Sequence, residues 1–232
     1  TPADPGDSGS RSRALPDDLL REASRRLSVV GFTSGAIWIV ATLLGHLTWG
    51  AMSSEHGIWA PLLGSDVISL IAGVISLGLG VYARRSRRNP RFLLDLGLVF
   101  LVFTSLALGL LMHWDPPPQH IPIFPMLSWI GVAVVMFAAL APNRPLKTFW
   151  VGLVAVSMNP LSMLLARARG TWHFEPAGMA LVMHYPDYLL VGVAVVISRV
   201  FTRLGQQVSR AREMGSYQLG EPLVGGVEAA PA

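Results

Sequence analysis

The stretch Phe92 to Trp114, FLLDLGLVFLVFTSLALGLLMHW, runs 23 residues with one formal charge, Asp95. It follows directly on the run from Ala83 to Arg91, ARRSRRNPR, which holds five arginines in nine residues. A hydrocarbon layer about 30 Å thick needs roughly 20 apolar residues of helix at about 1.5 Å each. Phe92–Trp114 therefore reads as a membrane-crossing helix, with a basic anchor at its entry. Five more segments read the same way: Val29–Trp49, a span within Ile58–Ala83, Pro122–Ala141, Thr148–Ala166 and Gly178–Val200. The second has a clean apolar core only from Val67 to Ala83, because Pro61, Gly64 and Asp66 interrupt its start. In the sixth, His184, Pro186 and Asp187 predict a kinked or partly interfacial outer half.

Composition agrees. Of 232 residues, 52% are hydrophobic and 14% charged, where a soluble domain carries about 25% charged residues. The mean hydropathy is +0.49. Without cysteine the chain has no disulfide, zinc finger, thiolate nucleophile or Cys-ligated cluster. A net charge of +4 in a soluble chain would point to nucleic acid. Here the basic residues sit between apolar segments, so they set topology and no nucleic-acid partner is expected. The expected fold class is an all-α integral membrane protein of about six transmembrane helices, with the lipid bilayer as its first partner.

Arginine and lysine placement orients the helices. The N-terminal arm holds Arg11, Arg13, Arg21, Arg25 and Arg26, and the loop after the second span holds Arg84, Arg85, Arg87, Arg88 and Arg91. Arg144 and Lys147 follow the fourth span; Arg199, Arg203, Arg210 and Arg212 follow the sixth. Sixteen of the eighteen basic residues thus fall on one side, leaving Arg167 and Arg169 on the other. The positive-inside rule places both termini in the cytoplasm, and the expected location is a bacterial inner membrane. Residues 1–15, rich in Pro, Gly, Ser and Asp, read as a disordered arm. Residues 16–28 read as a cytoplasmic amphipathic helix opened by Pro16, Asp17 and Asp18. Residues 29–200 then form the six-helix transmembrane domain.

All six histidines, His46, His56, His113, His120, His173 and His184, map to the outer half, together with Glu55, Asp115, Glu175 and Asp187. Imidazole with carboxylate is a common transition-metal ligand set, and His titrates near neutrality. His46, His113 and His184 make a candidate outer-face metal cluster, and His46 with His113 a candidate haem clamp. Histidine is equally at home at a wet interface with no ligand, and no HExxH or other fixed ligand spacing occurs. Asn159-Pro160, in the middle of the fifth span, reads as a hinge: proline frees a carbonyl one turn back and Asn can satisfy it. Asp95 is expected to pair with Arg91 or reach lipid headgroups, and Gly73, Gly78 and Gly80 to mark close helix packing. Ser34, Ser105 and Ser128 lack a base at any recognisable spacing, so no intramembrane protease is read. No repeated half speaks for a transporter.

Beyond the last span, Ile197, Phe201, Leu204, Val208 and Ala211 fall at intervals of 4, 3, 4 and 3, a heptad seam over a juxtamembrane helix at 201–215. Such a seam suits a dimeric signalling helix, and a solvated helical stub equally. Gly215 breaks it, and the chain turns to Ser216-Tyr217-Gln218-Leu219-Gly220-Glu221-Pro222-Leu223-Val224-Gly225-Gly226. That passage resembles the opening of a bacterial eukaryotic-like Ser/Thr protein kinase domain, with an aromatic-x-Leu strand and then a glycine loop over the ATP phosphates. Tyr217, Leu219 and Leu223 match the strand and Gly226 the second loop glycine; Val224 and Ala229 stand where the first and third glycines would. The resemblance implies that 216–232 is the truncated start of a kinase-like domain, with Gly225 and Gly226 a remnant of its ATP loop. It implies a membrane-anchoring and sensory role in a receptor-type kinase, a kinase domain acting in cis, and a homodimer. ATP and Mg would belong to that parent kinase. This chain itself holds no catalytic residue and no cofactor of its own, since the lysine, base and metal ligands are not in it.

Overall fold

The computed structural model of the chain describes residues 17–52, 62–86, 89–115, 125–141 and 143–215, and their regular structure is entirely α-helical. Among the described residues six helices follow in order: α1 Asp17–Met52, α2 Gly64–Arg85, α3 Pro90–His113, α4 Trp129–Leu140, α5 Pro145–Ala168 and α6 Met179–Gly215. All but α4 are long and apolar enough to cross a membrane. The arm at 1–15 and the kinase-like segment at 216–232, with Gly225 and Gly226, lie outside the described residues.

Local chemistry sets the helix starts. Asn89 accepts the Arg91 amide at 2.9 Å ahead of Pro90, so α3 opens with an N-cap and a proline at its first position. The Leu63 amide donates to the Asp66 carboxylate at 2.7 Å, a bond that closes the first turn of α2. With one of its open donors met in this way, α2 begins at Gly64 and not near Ile58. The fourth expected span is shortened most. Ser128 caps α4 by accepting the Ile130 amide at 3.1 Å, and the Met126 amide donates to the Met183 carbonyl at 3.1 Å, which holds that stretch extended. Only 12 residues remain in α4. At a rise of about 1.5 Å each they reach about 18 Å, short of a bilayer core. Six expected spans thus become five and a short core helix.

Two expected boundaries vanish. The amphipathic segment and the first span form one 36-residue helix, α1, because no Gly or Pro interrupts positions 17–30. Likewise the sixth span and the juxtamembrane segment form one 37-residue helix, α6, continuous through Pro186.

The helices alternate in direction, which a few contacts make plain. At one end Leu27 packs where a Cβ on Gly97 would stand, Lys147 forms an ion pair with Asp95, and Ser198 donates to the Asn143 carbonyl. Arg25, Arg84, Arg91, Arg144 and Arg199 belong to this basic end by their places in the helices. At the other end His46 meets Asp66 at 3.1 Å, Arg169 lies over Trp114, and His113 meets His184. Asp95 thus pairs with Lys147, not Arg91, because the first turn of α5 lies beside the first turn of α3. Both partners are about half exposed, so the pair adds at most about 1 kcal/mol.

The main core runs through the middle, from Leu27 of α1 and Leu98 of α3 to Val134 of α4, Val156 of α5 and Val191 of α6. α1 packs along α2 through a close backbone approach: a Cβ on Gly31 would stand 2.6 Å from the Gly80 nitrogen. Gly80 therefore packs as expected, with Gly31 as its partner. Gly73 makes only ordinary contact with Trp38, and Gly78 faces open space. The outward faces are apolar too: Ile37, Val40, Leu43, Leu44 and Leu47 of α1 are each more than half exposed.

Candidate functional site

Four helices converge on a buried polar cluster at the histidine end. On α6, His184 and Asp187 are three residues apart and share one face. Asp187 is fully buried. Its carboxylate accepts the Ser128 amide at 2.9 Å and the Ser128 hydroxyl at 2.6 Å, so α4 is docked by both polar groups of its own cap residue. Gly131, one turn on, lets α6 come this close: a Cβ there would sit 2.6 Å from Asp187 Oδ1.

From α5, the buried Asn159 amide nitrogen donates to His184 Nδ1 at 3.2 Å and to Asp187 Oδ2 at 3.5 Å. The nearby carboxylate decides which way this amide faces, since its oxygen would be repelled there. His184 Nδ1 is then the acceptor, so the ring proton sits on Nε2. That Nε2 and Asn159 Oδ1 are buried with no hydrogen-bond partner, one donor and one acceptor left open. On α3, His113 Nδ1 donates to the Gly109 carbonyl at 2.8 Å. Its ring meets His184 edge-on at 5.5 Å and Trp172 at 4.9 Å, while Trp172 Nε1 donates to the Asp115 carbonyl at 2.9 Å. The cluster ties α3, α4, α5 and α6 together.

Beside it, a cavity of about 230 Å³ opens between the ends of α3 and α5. Its floor includes the buried His113, Ser162 and Ala166; Leu165 and Arg169 stand at its exposed rim. The Arg169 guanidinium stacks on Trp114 at 3.8 Å and donates to the Trp114 carbonyl at 3.5 Å. Arg167 differs, being tied to Glu175 at 3.1 Å and lying 5.3 Å from the Phe174 ring.

Of the three histidines read as a metal cluster, the structure brings His113 and His184 together and gives His46 to Asp66. Among the described residues no three His, Asp or Glu gather as a metal ion's ligands. His56 and His120 lie outside the described residues, and His173 is exposed. Asn159 does not turn back on its own helix to serve the carbonyl freed by Pro160; its amide crosses to α6, and α5 stays helical through Pro160. Of the seam, Ile197 packs on the main core, whereas Phe201, Leu204 and Val208 are exposed at 38%, 50% and 50%, and Ala211 is exposed.

Sequence reasoning passed over Ser128 because it sought a catalytic base, when the available signal was a serine directly before an apolar helix, the mark of an N-cap. It also passed over Asn143, Thr148 and Ser198, which are linked through Ser198 at the basic end; Ser198 interrupts an apolar run. No protein-family model matches the chain, and no curated protein or solved structure matches it.

Proposed function

We propose that this chain is a multi-pass sensory membrane domain of a bacterial inner membrane, with both ends in the cytoplasm. In this reading the cluster around His184 and Asp187 faces outward, and a change in its packing is carried by α6 to a Ser/Thr kinase domain in cis. One observation carries the coupling. α6 is a single 37-residue helix with the buried cluster near its start and an exposed apolar seam, Phe201, Leu204 and Val208, near its end. A rigid helix held at one end by Ser128 and Asn159 transmits a shift or rotation along its whole length. An exposed seam at heptad spacing gives that motion a second copy of the chain to act on. The apolar exterior of α1 and the one-ended basic residues support the membrane placement. The kinase link rests on the resemblance at Tyr217 to Gly226 alone.

Cysteine scanning in native membranes tests the coupling, because the chain has no cysteine of its own. Leu204→Cys and Val208→Cys should cross-link two copies under mild oxidation, while Gln206→Cys on the opposite face should not. Adding Asp187→Asn should change the Leu204→Cys yield severalfold. A yield that ignores both helix face and position 187 refutes transmission through α6. For the kinase link, the coding DNA beyond the codon for Gly226 should, in one frame, encode a strand lysine, His-Arg-Asp and Asp-Phe-Gly. Their absence would remove the kinase and leave the membrane domain.

A further inference from the structure

We infer that the cavity between the ends of α3 and α5 is a binding site for a single-chain anionic amphiphile, a medium-chain fatty carboxylate. The proposal deepens the sensory reading above by naming a ligand class for the histidine end.

Three features converge on that class. The space is large enough: an apolar cavity of about 150 Å³ stays dry and takes up benzene, and this one measures about 230 Å³. Its wall is nearly all apolar, so what fills it is hydrocarbon, which gains roughly 0.8 kcal/mol per buried CH₂. A medium chain fills such a volume, whereas a long-chain lipid tail leaves part of its length outside it. The third feature is charge. Arg167 and Arg169 are the two basic residues placed opposite the other sixteen. Arg167 has its own carboxylate, Glu175. Among the described residues the Arg169 guanidinium meets the Trp114 ring and one carbonyl, and it stands at the cavity rim. A guanidinium presents five donors in a planar fork matched to a carboxylate, and Trp114 holds that fork over the opening. The cavity takes the chain and the fork takes the head group.

The probe is a ten-carbon fatty acid bearing a diazirine, photo-cross-linked to the full chain in phosphatidylcholine nanodiscs and mapped by mass spectrometry. Cross-links should concentrate in the segments 110–114 and 162–169. Unlabelled decanoate should compete them away; decanol and decyltrimethylammonium should not. Arg169→Gln should raise the half-saturating concentration roughly tenfold, the loss of one charged hydrogen bond. Leu165→Phe, at a 45% exposed rim position where a larger ring is accommodated without repacking the core, should reduce labelling by narrowing the mouth. Cross-links spread evenly over the outward faces of all helices would overturn the site. Competition by decanol as strong as by decanoate would overturn the anionic class. Neither result touches the α6 cross-linking above, so the ligand and the coupling can fail separately.

Discussion

Asp187 shows how one residue can hold a membrane-type bundle together. A fully buried carboxylate with two donors from Ser128 and one from Asn159 replaces the water it has lost. Asp187→Ala removes those acceptors together and is expected to destabilise the fold by about 3 kcal/mol or more, at about 1–3 kcal/mol for each of the three stranded donors. Gly131→Ala drives a Cβ into the same carboxylate and should cost about 1–3 kcal/mol. The two losses should not add fully, because the contact with Asp187 disappears with the carboxylate while the one with Leu190 Cδ1, at 2.7 Å, remains; a coupling of about 0.5–3 kcal/mol is expected. Thermal unfolding of both single variants and the double variant in one detergent measures it. Strict additivity would mean that Gly131 and Asp187 are not in contact.

Among the helices, the register of α1 on α2 is sharply specified, because backbone meets backbone at Gly31 and Gly80. The same register puts Ser34 Oγ 3.4 Å from Ser76 Oγ. Ser34→Cys with Ser76→Cys should therefore form a disulfide on mild oxidation, since side-chain atoms that close lie within bridging reach. Gly31→Leu should abolish the bridge by pushing the helices apart. Gly78→Ala should leave it intact, because that position faces open space. A bridge that survives Gly31→Leu would contradict the packing. Element lengths were only half legible in the sequence. The apolar runs located α2, α3 and α5, since each such run has the length and composition of a span. The end of α4 nearer Ser128 was marked by that serine alone, because Pro122–Ala141 carries no formal charge to set a boundary, and the long-range bond from Ser128 to Asp187 stops the helix early.

For the whole molecule, alternating helix directions gather the arginines of four separate segments at one end. If that end is cytoplasmic, Ser86→Cys should resist a membrane-impermeant maleimide in intact cells and react after lysis. His173→Cys, exposed at the opposite end, should react in intact cells. The reverse pattern would invert the topology and place the candidate ligand site in the cytoplasm. The charge count was readable without any structure because topology depends on where arginines fall along the chain, not on what they touch. The shared end of His46, His113, His173 and His184 was readable for the same reason, but not their partners.

The all-α class and the gathering of basic residues at one end were legible in the order of the residues: apolar runs of spanning length, few charges, and basic residues at alternate connections. Those are one-dimensional properties, set by hydrocarbon thickness and charge transfer energy, and they survive any detail of packing. Which polar residues meet was a matter for the folded bundle. Asp187 found Ser128 across 59 positions, Asn159 turned to His184 and away from its own helix, and His46 went to Asp66. Each pairing depends on helix rotation and on a glycine or cap at the contact, and a shift of one residue along a helix turns a side chain about 100° away. The chain supplied the candidates, and three-dimensional packing selected among them.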